Sequence, residues 1–99
     1  MQKKAAVDIG SNSIRYLGPN GERRLITTRL AENIISTGKL RDAAIERSIA
    51  ALKELAALAA AQGAKPYAYA TSAVRDAKFG SRERFLALAG EIMPVRVLS

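Results

Sequence analysis

One long amphipathic helix constrains the fold of this chain more than any other segment. Apolar residues recur at steps of four and three, which predicts a helix over residues 41–62 with one apolar face. The residues on that face are Ile45, Ile49, Leu52, Ala56 and Ala59. Gly63 suits a left-handed cap and Pro66 prevents continuation, so the helix ends there. Such a helix needs a partner surface to cover its apolar face.

Short apolar runs before and after the helix in the sequence predict strands, and a sheet made of these strands would cover the apolar face of the helix. The predicted strands are 5–10, 14–17, 22–30, 66–71 and 95–98, and two shorter helices are predicted over 72–77 and 81–91. The turn Gly18-Pro19-Asn20-Gly21 favours antiparallel pairing of the early strands. Residues 31–39 have no clear period and are predicted to be a loop. The order β-β-β-α-β-α-β predicts an α/β fold with a mixed five-stranded sheet in the order 3-2-1-4-5.

Composition limits the chemistry that the chain can perform. Its 99 residues predict a single domain, residues 1–99. Neither Cys nor His occurs, which excludes disulfides, classical zinc sites, and Ser-His or Cys-His catalysis within these residues. Any chemistry must therefore use carboxylates, hydroxyls, Lys, Arg, Tyr or a bound cation.

Charge indicates the class of partner. The formal net charge is +7, which favours polyanions such as polyphosphate, charged nucleotides, nucleic acid or anionic lipid. The basic residues are scattered and Trp is absent, so we expect no nucleic-acid partner. An ordinary solvated basic surface is the alternative. The apolar run after the basic start is interrupted by Asp8, and no run could span a membrane, so we expect a cytoplasmic protein without membrane contact.

The segment Asp8-Ile9-Gly10-Ser11-Asn12-Ser13 is the first candidate site. It follows a short apolar strand, and its small residues let backbone N–H groups and hydroxyls close around an anion. A carboxylate at the strand end can hold a divalent cation beside phosphates. Taken alone, the segment is more typical of an ordinary β-turn than of a phosphate site.

Two arginines and a strand end form the second candidate group. Arg15 lies two residues beyond the loop, and a guanidinium binds phosphate with bidentate geometry. Thr71, Ser72 and Arg75 lie where a predicted strand ends and a helix begins, which is where open α/β sheets bind ligands. The alternatives are an exposed strand arginine for Arg15, and a surface ion pair with Asp76 for Arg75.

Four segments of the chain, in order, resemble the exopolyphosphatase/guanosine pentaphosphate phosphatase (Ppx/GppA) family. They are residues 6–15 (AVDIGSNSIR), 28–30 (TRL), 37–40 (TGKL) running into 44–47 (AIER), and 70–77 (ATSAVRDA). The resemblance implies the RNase H-like, or actin-like ATPase, fold of the actin/hexokinase/Hsp70 superfamily. It also implies that the chain is the N-terminal half of a longer protein's first lobe.

The resemblance further implies a function and roles for named residues. It implies hydrolysis of phosphoric anhydrides, with polyphosphate or guanosine pentaphosphate as substrate. Asp8 would lie near Mg²⁺ (or Mn²⁺), Gly10 to Ser13 would form the first phosphate loop, and Thr71, Ser72 and Arg75 would lie beside it. The catalytic glutamate and a second phosphate loop are expected after Ser99, so the isolated chain is expected to be inactive.

Two positions depart from the family's pattern. Residues 31–33 lack the glycine that is usual in the family, which makes Arg29 a weaker candidate for anion binding. Arg41 stands where a helix-capping Ser or Thr is usual. Two other functions stay open: a non-catalytic anion-binding or interaction module, and an ATP-dependent kinase-like relative. The expected partners are the remainder of the enzyme or, through an uncovered face, a second copy.

Overall fold

The computed structural model describes residues 3–98, which form five strands and four helices. The elements are β1 (Lys3–Ile9), β2 (Ser13–Leu17), β3 (Arg23–Thr27), α1 (Ile34–Thr37), α2 (Asp42–Ala61), β4 (Ala64–Ala70), α3 (Ser72–Arg75), α4 (Ser81–Gly90) and β5 (Val95–Val97). No helix in these residues is both long and apolar enough to cross a membrane.

The strands form one mixed sheet in the order β3-β2-β1-β4-β5. Strands β1, β2 and β3 pair antiparallel, as the Gly18–Gly21 turn predicts. Strand β4 lies parallel to β1, and β5 lies parallel to β4. The predicted fold class and strand order are confirmed.

One face of the sheet and the long helix α2 form the core. Alternate residues of β1 (Ala5, Val7 and Ile9) are fully buried, and they belong to one apolar cluster with Leu52 of α2 and Phe85 of α4. The buried positions of α2 are Ala44, Ile45, Ser48, Ala51, Leu52, Leu55 and Ala59. Two residues of the predicted apolar face, at positions 49 and 56, are only partly buried, so the buried stripe is rotated slightly from the predicted one. Both long helices therefore cover the same face of the sheet.

Strand β3 ends three residues earlier than predicted. The backbone N–H groups of Thr28 and Arg29 both donate to the Asn12 carbonyl (3.0 and 2.9 Å), and Arg29 takes a left-handed conformation (φ 51°). These contacts turn the chain away from the sheet. The segment predicted as a loop contains the one-turn helix α1, which is capped at its C-terminus by Gly38 with a positive φ of 74°. β1 and β4 each begin two residues before their predicted starts.

Candidate phosphate-binding site

Two of the predicted site segments lie side by side at one edge of the sheet. In the parallel pair of β1 and β4, Ile9 is the partner of Ala70. The loop that begins at Gly10 and the turn that begins at Thr71 therefore leave the sheet from neighbouring strand ends. The carboxyl ends of adjacent parallel strands are the usual place for a ligand in open α/β sheets. The sequence predicted this adjacency, and the pairing confirms it.

The loop after β1 is a tight turn that requires a glycine. The Gly10 N–H donates to the Ser13 carbonyl (3.0 Å), and a Cβ at position 10 would lie 2.9 Å from that same oxygen. Gly10 is therefore needed because the turn leaves no space for a Cβ, and its N–H is not available to bind an anion. In contrast, the N–H groups of Ser11 and Asn12 have no protein acceptor within residues 3–98, and both residues are exposed. These two amides are available to an anion.

The orientation of this loop depends on the segment after β3. The Ala31 N–H donates to the Ser11 carbonyl (2.9 Å), and Thr28 and Arg29 donate to the Asn12 carbonyl. In a trans peptide the C=O and N–H point in opposite directions. Holding the Ser11 carbonyl toward residues 28–31 therefore directs the N–H of Asn12 away from that segment. A backbone contact from a distant segment therefore sets the direction of the Asn12 donor.

A residue of α2 in turn holds residues 28–32, and sequence analysis assigned it no role. The Arg47 Nε donates to the Thr28 carbonyl (2.9 Å), and its Nη2 lies 3.2 Å from Glu32 Oε2. Arg41 Nη1 lies 3.6 Å from the same Glu32 oxygen. Arg47 lies in a segment that carries the family resemblance, but no local pattern indicates that it contacts a loop nineteen residues away. It connects the helix to the segment that orients the candidate site.

Asp8 and Arg15 are opposite each other on β1 and β2, so their side chains project from the same face of the sheet. Both are exposed, and no ion pair within 4.0 Å joins them or links either to another part of residues 3–98. Each charge is therefore open to an external ligand. A cation and a carboxylate side by side, one residue pair from the β1–β2 turn, suit a phosphate together with its metal ion.

The described residues do not form a complete metal site by themselves. No group of three Asp or Glu side chains comes together within residues 3–98. Mg²⁺ in phosphate sites commonly takes only one or two carboxylates and completes its shell with phosphate oxygens and water. Asp8 fits that limited role, since it is a single exposed carboxylate beside the loop donors.

Arg75 forms the surface ion pair that was the alternative interpretation. Its Nε and Nη2 donate to the two carboxylate oxygens of Asp76 (3.0 and 3.2 Å). This hydrogen bonding raises the pKa of Arg75 and lowers the pKa of Asp76 below its ordinary value of 3.8. Arg75 Nη1 is outside this pair. An anion role for Arg75 stays a prediction, and such a ligand would have to compete with Asp76.

Thr71 and Ser72 begin α3 directly after β4. Thr71 is half-buried and makes no side-chain cap hydrogen bond, and Ser72 is exposed. The main-chain carbonyls of both residues accept bonds from the end of the helix, from Arg75 and Asp76 respectively. Their hydroxyls have no hydrogen-bond partner among residues 3–98 and lie on the edge that carries the loop after β1.

Neither a scan against protein-family models nor a search of curated proteins gives a significant match. Solved structures, in contrast, match the entire fold. An exopolyphosphatase-like protein superposes with a TM-score of 0.86 at 30% identity, over 99% of this chain and 33% of that chain. The Aquifex aeolicus member of the Ppx/GppA family superposes with a TM-score of 0.84 at 31% identity, over 98% of this chain and 35% of that chain.

An exopolyphosphatase from Cytophaga hutchinsonii is 18% identical with a TM-score of 0.85, a likeness that shows the shared fold alone. This chain therefore spans about a third of the length of the structures that it matches. The predicted resemblance is confirmed: over nearly its whole length, the chain has the fold of one part of a Ppx/GppA protein and is about 30% identical to it in sequence.

Proposed function

We propose that this chain is the phosphate-binding part of a phosphoric-anhydride hydrolase that acts on polyphosphate or guanosine pentaphosphate. The observation that carries the proposal is the meeting of the Ser11–Asn12 loop, with two available N–H donors, and the Thr71–Ser72 turn at neighbouring strand ends. The names of the similar structures, an exopolyphosphatase-like protein and a Ppx/GppA phosphatase, support this substrate class.

In the proposed complex each group has a separate task. The N–H groups of Ser11 and Asn12 donate to phosphate oxygens, and the Arg15 guanidinium neutralises a neighbouring phosphate with bidentate hydrogen bonds. Asp8 holds Mg²⁺ (or Mn²⁺), which would neutralise charge on the phosphates and orient them. A long polyanion also gains from the net charge of +7 through diffuse attraction.

We further propose that residues 1–99 alone bind phosphate without hydrolysing it. Asp8 is assigned to the cation, and Asp76 at the same edge is bonded to Arg75. Neither carboxylate is then available as a base to activate water, and His and Cys do not occur. A missing general base lowers the rate by about 10²–10⁴-fold. Phosphate release from polyphosphate at enzyme-like rates by this chain would contradict the proposal.

Calorimetric titration with polyphosphate, with and without Mg²⁺, tests the binding site. Arg15→Gln removes a charged donor, which should weaken binding by about tenfold or more. Asp8→Asn should abolish the gain in affinity on adding Mg²⁺. Lys53→Gln is the matched control, since Lys53 is an exposed cation on α2. An equal loss for Lys53→Gln and Arg15→Gln would show that the binding is diffuse charge attraction.

Within residues 3–98, Asp8 is the one carboxylate at this edge that is not paired with a protein cation, which also favours a second function, a non-catalytic anion-binding module. The same titration separates the two. Mg²⁺-dependent binding that requires Asp8 indicates a part of a hydrolase, whereas tight binding that is indifferent to Mg²⁺ and to Asp8→Asn indicates an anion-binding module.

A further inference from the structure

Phe79 is an exposed aromatic residue where two loops meet. Its side chain is 79% exposed and lies outside the apolar core. The Lys78 N–H donates to the Gly38 carbonyl (2.8 Å), which joins the connection between α3 and α4 to the end of α1. A Cβ at position 38 would lie 3.4 Å from Phe79 Cε2 and 3.7 Å from Lys78 Cδ, so both side chains border Gly38. The Phe79 ring is therefore held beside α1 with most of its surface in solvent.

Two lysines flank this ring. Lys78 precedes Phe79 in the sequence, and Lys39 follows Gly38, the residue that the ring borders. Both lysines are exposed, and neither forms an ion pair within residues 3–98. An apolar ring and two cations thus share one small area of the surface. We call Phe79, Lys39 and Lys78 the Phe79 platform.

The backbone of Phe79 is in a conformation that a bulky residue rarely adopts. Its φ is 59°, in the left-handed region where a Cβ is crowded by the backbone. Glycine or asparagine occupies this region at lower cost. Residues held in such strained conformations are concentrated at binding and active sites. Because the ring does not pack in the core, burial does not account for a phenylalanine at this position, which indicates a role at the surface.

The Phe79 platform lies at the edge of the sheet that carries the candidate phosphate site. Strands β1 and β3 both pair antiparallel with β2, and β4 is parallel to β1, so β1, β3 and β4 end at one edge. The loop at Gly10, the segment that leads to Lys39 and the segment that leads to Phe79 all leave the sheet from this edge. Phe79 lies four residues beyond Arg75, which is at most about 14 Å along the chain.

The platform has the chemistry of a nucleobase site. A flat apolar ring provides a surface on which a base can stack. The lysine ammonium groups can only donate hydrogen bonds. Guanine presents two acceptors on one edge, N7 and O6, whereas adenine presents an amino donor in place of O6. The lysines therefore favour guanine over adenine.

The length of a nucleotide fits the separation of the two sites. About ten covalent bonds of about 1.5 Å connect the base of a nucleoside triphosphate to its terminal phosphorus, which gives roughly 12 Å when the chain is extended. This length is comparable with the greatest separation between Phe79 and Arg75. A nucleotide whose base lies on the platform can thus place its phosphates at the strand ends.

We propose that the Phe79 platform is the subsite for the guanine base of a guanosine polyphosphate whose phosphates occupy the candidate phosphate-binding site. The Phe79 ring stacks on the base, and Lys39 and Lys78 donate to N7 and O6. This inference rests on the proposed function, since the loop after β1 holds the phosphates of the same molecule. It also selects between the two proposed substrates, because inorganic polyphosphate has no base to gain these contacts.

Calorimetric titration of residues 1–99 with three ligands tests the subsite. Guanosine triphosphate, adenosine triphosphate and inorganic tripolyphosphate have the same number of phosphates, and each is titrated in the presence of Mg²⁺. We expect guanosine triphosphate to bind about tenfold more tightly than tripolyphosphate, which is the gain typical of stacking one base on an aromatic ring. Adenosine triphosphate should lie between them. Equal affinities for guanosine triphosphate and tripolyphosphate would overturn the subsite.

Variants assign the base contacts to named residues. Phe79→Asn removes the ring and suits the left-handed backbone, so the chain should stay folded. We expect it to weaken guanosine triphosphate by about tenfold and to leave tripolyphosphate unchanged. Lys39→Gln combined with Lys78→Gln should remove the preference for guanosine over adenosine triphosphate. Lys53→Gln is the matched control on α2 and should preserve that preference. An equal effect of Phe79→Asn on all three ligands would overturn the stacking role.

Arg15→Gln separates failure of the subsite from failure of the proposed function. If Arg15→Gln weakens all three ligands and Phe79→Asn weakens none, the phosphate site stands and the base subsite is wrong. If Phe79→Asn weakens guanosine triphosphate and Arg15→Gln changes nothing, the base binds at Phe79 but the phosphates lie elsewhere. That second result would contradict the proposed function and the shared ligand.

Discussion

The contact between Arg47 and Thr28 leads to the most specific stability prediction. Arg47→Ala removes a charged hydrogen bond to the Thr28 carbonyl, and Thr28 is only 1% exposed. Hydrogen bonds to charged groups contribute about 1.5–3 kcal/mol, and the lower end applies because the Arg47 side chain is 41% exposed. The ion pair with Glu32 adds about 0.2–1 kcal/mol. We expect Arg47→Ala to lower the free energy of unfolding by about 2 kcal/mol.

Thermal unfolding followed by circular dichroism measures this loss. In a domain of this size, about 2 kcal/mol corresponds to a decrease in Tm of about 10 °C. Arg84→Ala is the matched control, because Arg84 makes only an exposed ion pair with Asp42, and its loss should cost about 0.5 kcal/mol. Arg47→Lys keeps the charge but lacks Nε, so its Tm should lie between those of the wild type and Arg47→Ala.

The same variant tests whether Arg47 positions the loop. In Arg47→Ala the segment 28–32 loses its link to α2, so the Ser11 and Asn12 carbonyls should be held less firmly. We expect faster amide exchange at Thr28, Arg29 and Ala31 than in Arg84→Ala, and weaker polyphosphate binding at a temperature where both variants are folded. Equal stability losses for the two alanine variants, or unchanged exchange at these three amides, would refute the reasoning.

Three further predictions concern stability alone. The Tyr16 hydroxyl donates to Gln62 Oε1 (2.5 Å), and burial, followed by the charge of Glu22, raises its pKa above 10.0. Because the Tyr16 hydroxyl has a lower pKa in the unfolded chain than in the folded one, the free energy of unfolding should fall as the pH rises above 10.0. The urea midpoint of the wild type should therefore decrease in this range by more than that of Tyr16→Phe. Arg41 precedes α2 without a side-chain cap bond, and a cap adds about 1 kcal/mol, from which the loss of the exposed ion pair with Glu32 subtracts a few tenths; Arg41→Ser should therefore raise the free energy of unfolding by about 0.5–1 kcal/mol, and an unchanged urea midpoint would contradict this. Phe79 has a φ of 59°, which strains a residue with a Cβ, and its side chain is 79% exposed. Phe79→Gly should relieve this strain and raise the free energy of unfolding by about 0.5–1 kcal/mol, or Tm by a few degrees, once the greater freedom of glycine in the unfolded chain is subtracted. A lower Tm would mean that the packing of Phe79 outweighs the backbone strain.

The strand order and the position of the candidate loop could both be predicted from the sequence. Asp8 follows a short apolar run, and small turn residues follow Asp8, so the end of β1 has a local signal. The α2 segment has a clear period and ends at a glycine, which implies a crossover to a parallel strand. With β4 beside β1, the Thr71 turn must reach the same edge as Gly10. Each of these steps depends on residues within one turn or one helix.

The roles of Gly10 and residues 28–31 could not be predicted in this way. The sequence indicates that the Gly10 amide could bind an anion, but the hairpin uses that N–H internally. The early end of β3 depends on the left-handed conformation of Arg29, a state that arginine rarely adopts without tertiary contacts. Those contacts are the bond from the Arg29 N–H to the Asn12 carbonyl, seventeen residues away, and the bond from Arg47 to the Thr28 carbonyl, nineteen residues away.

Apart from helix α1, which was predicted as a loop, the sequence by itself determined the element types, their order and the strand-end placement of Asp8 and Thr71, because apolar periodicity and turn residues act over a few neighbouring positions. Only the tertiary structure decided which amides of the loop stay available, which helix residue holds the loop's supporting segment, and that one face of the sheet is left open within residues 3–98. These features depend on hydrogen bonds and packing between segments distant in sequence, for which a single sequence has no local signal.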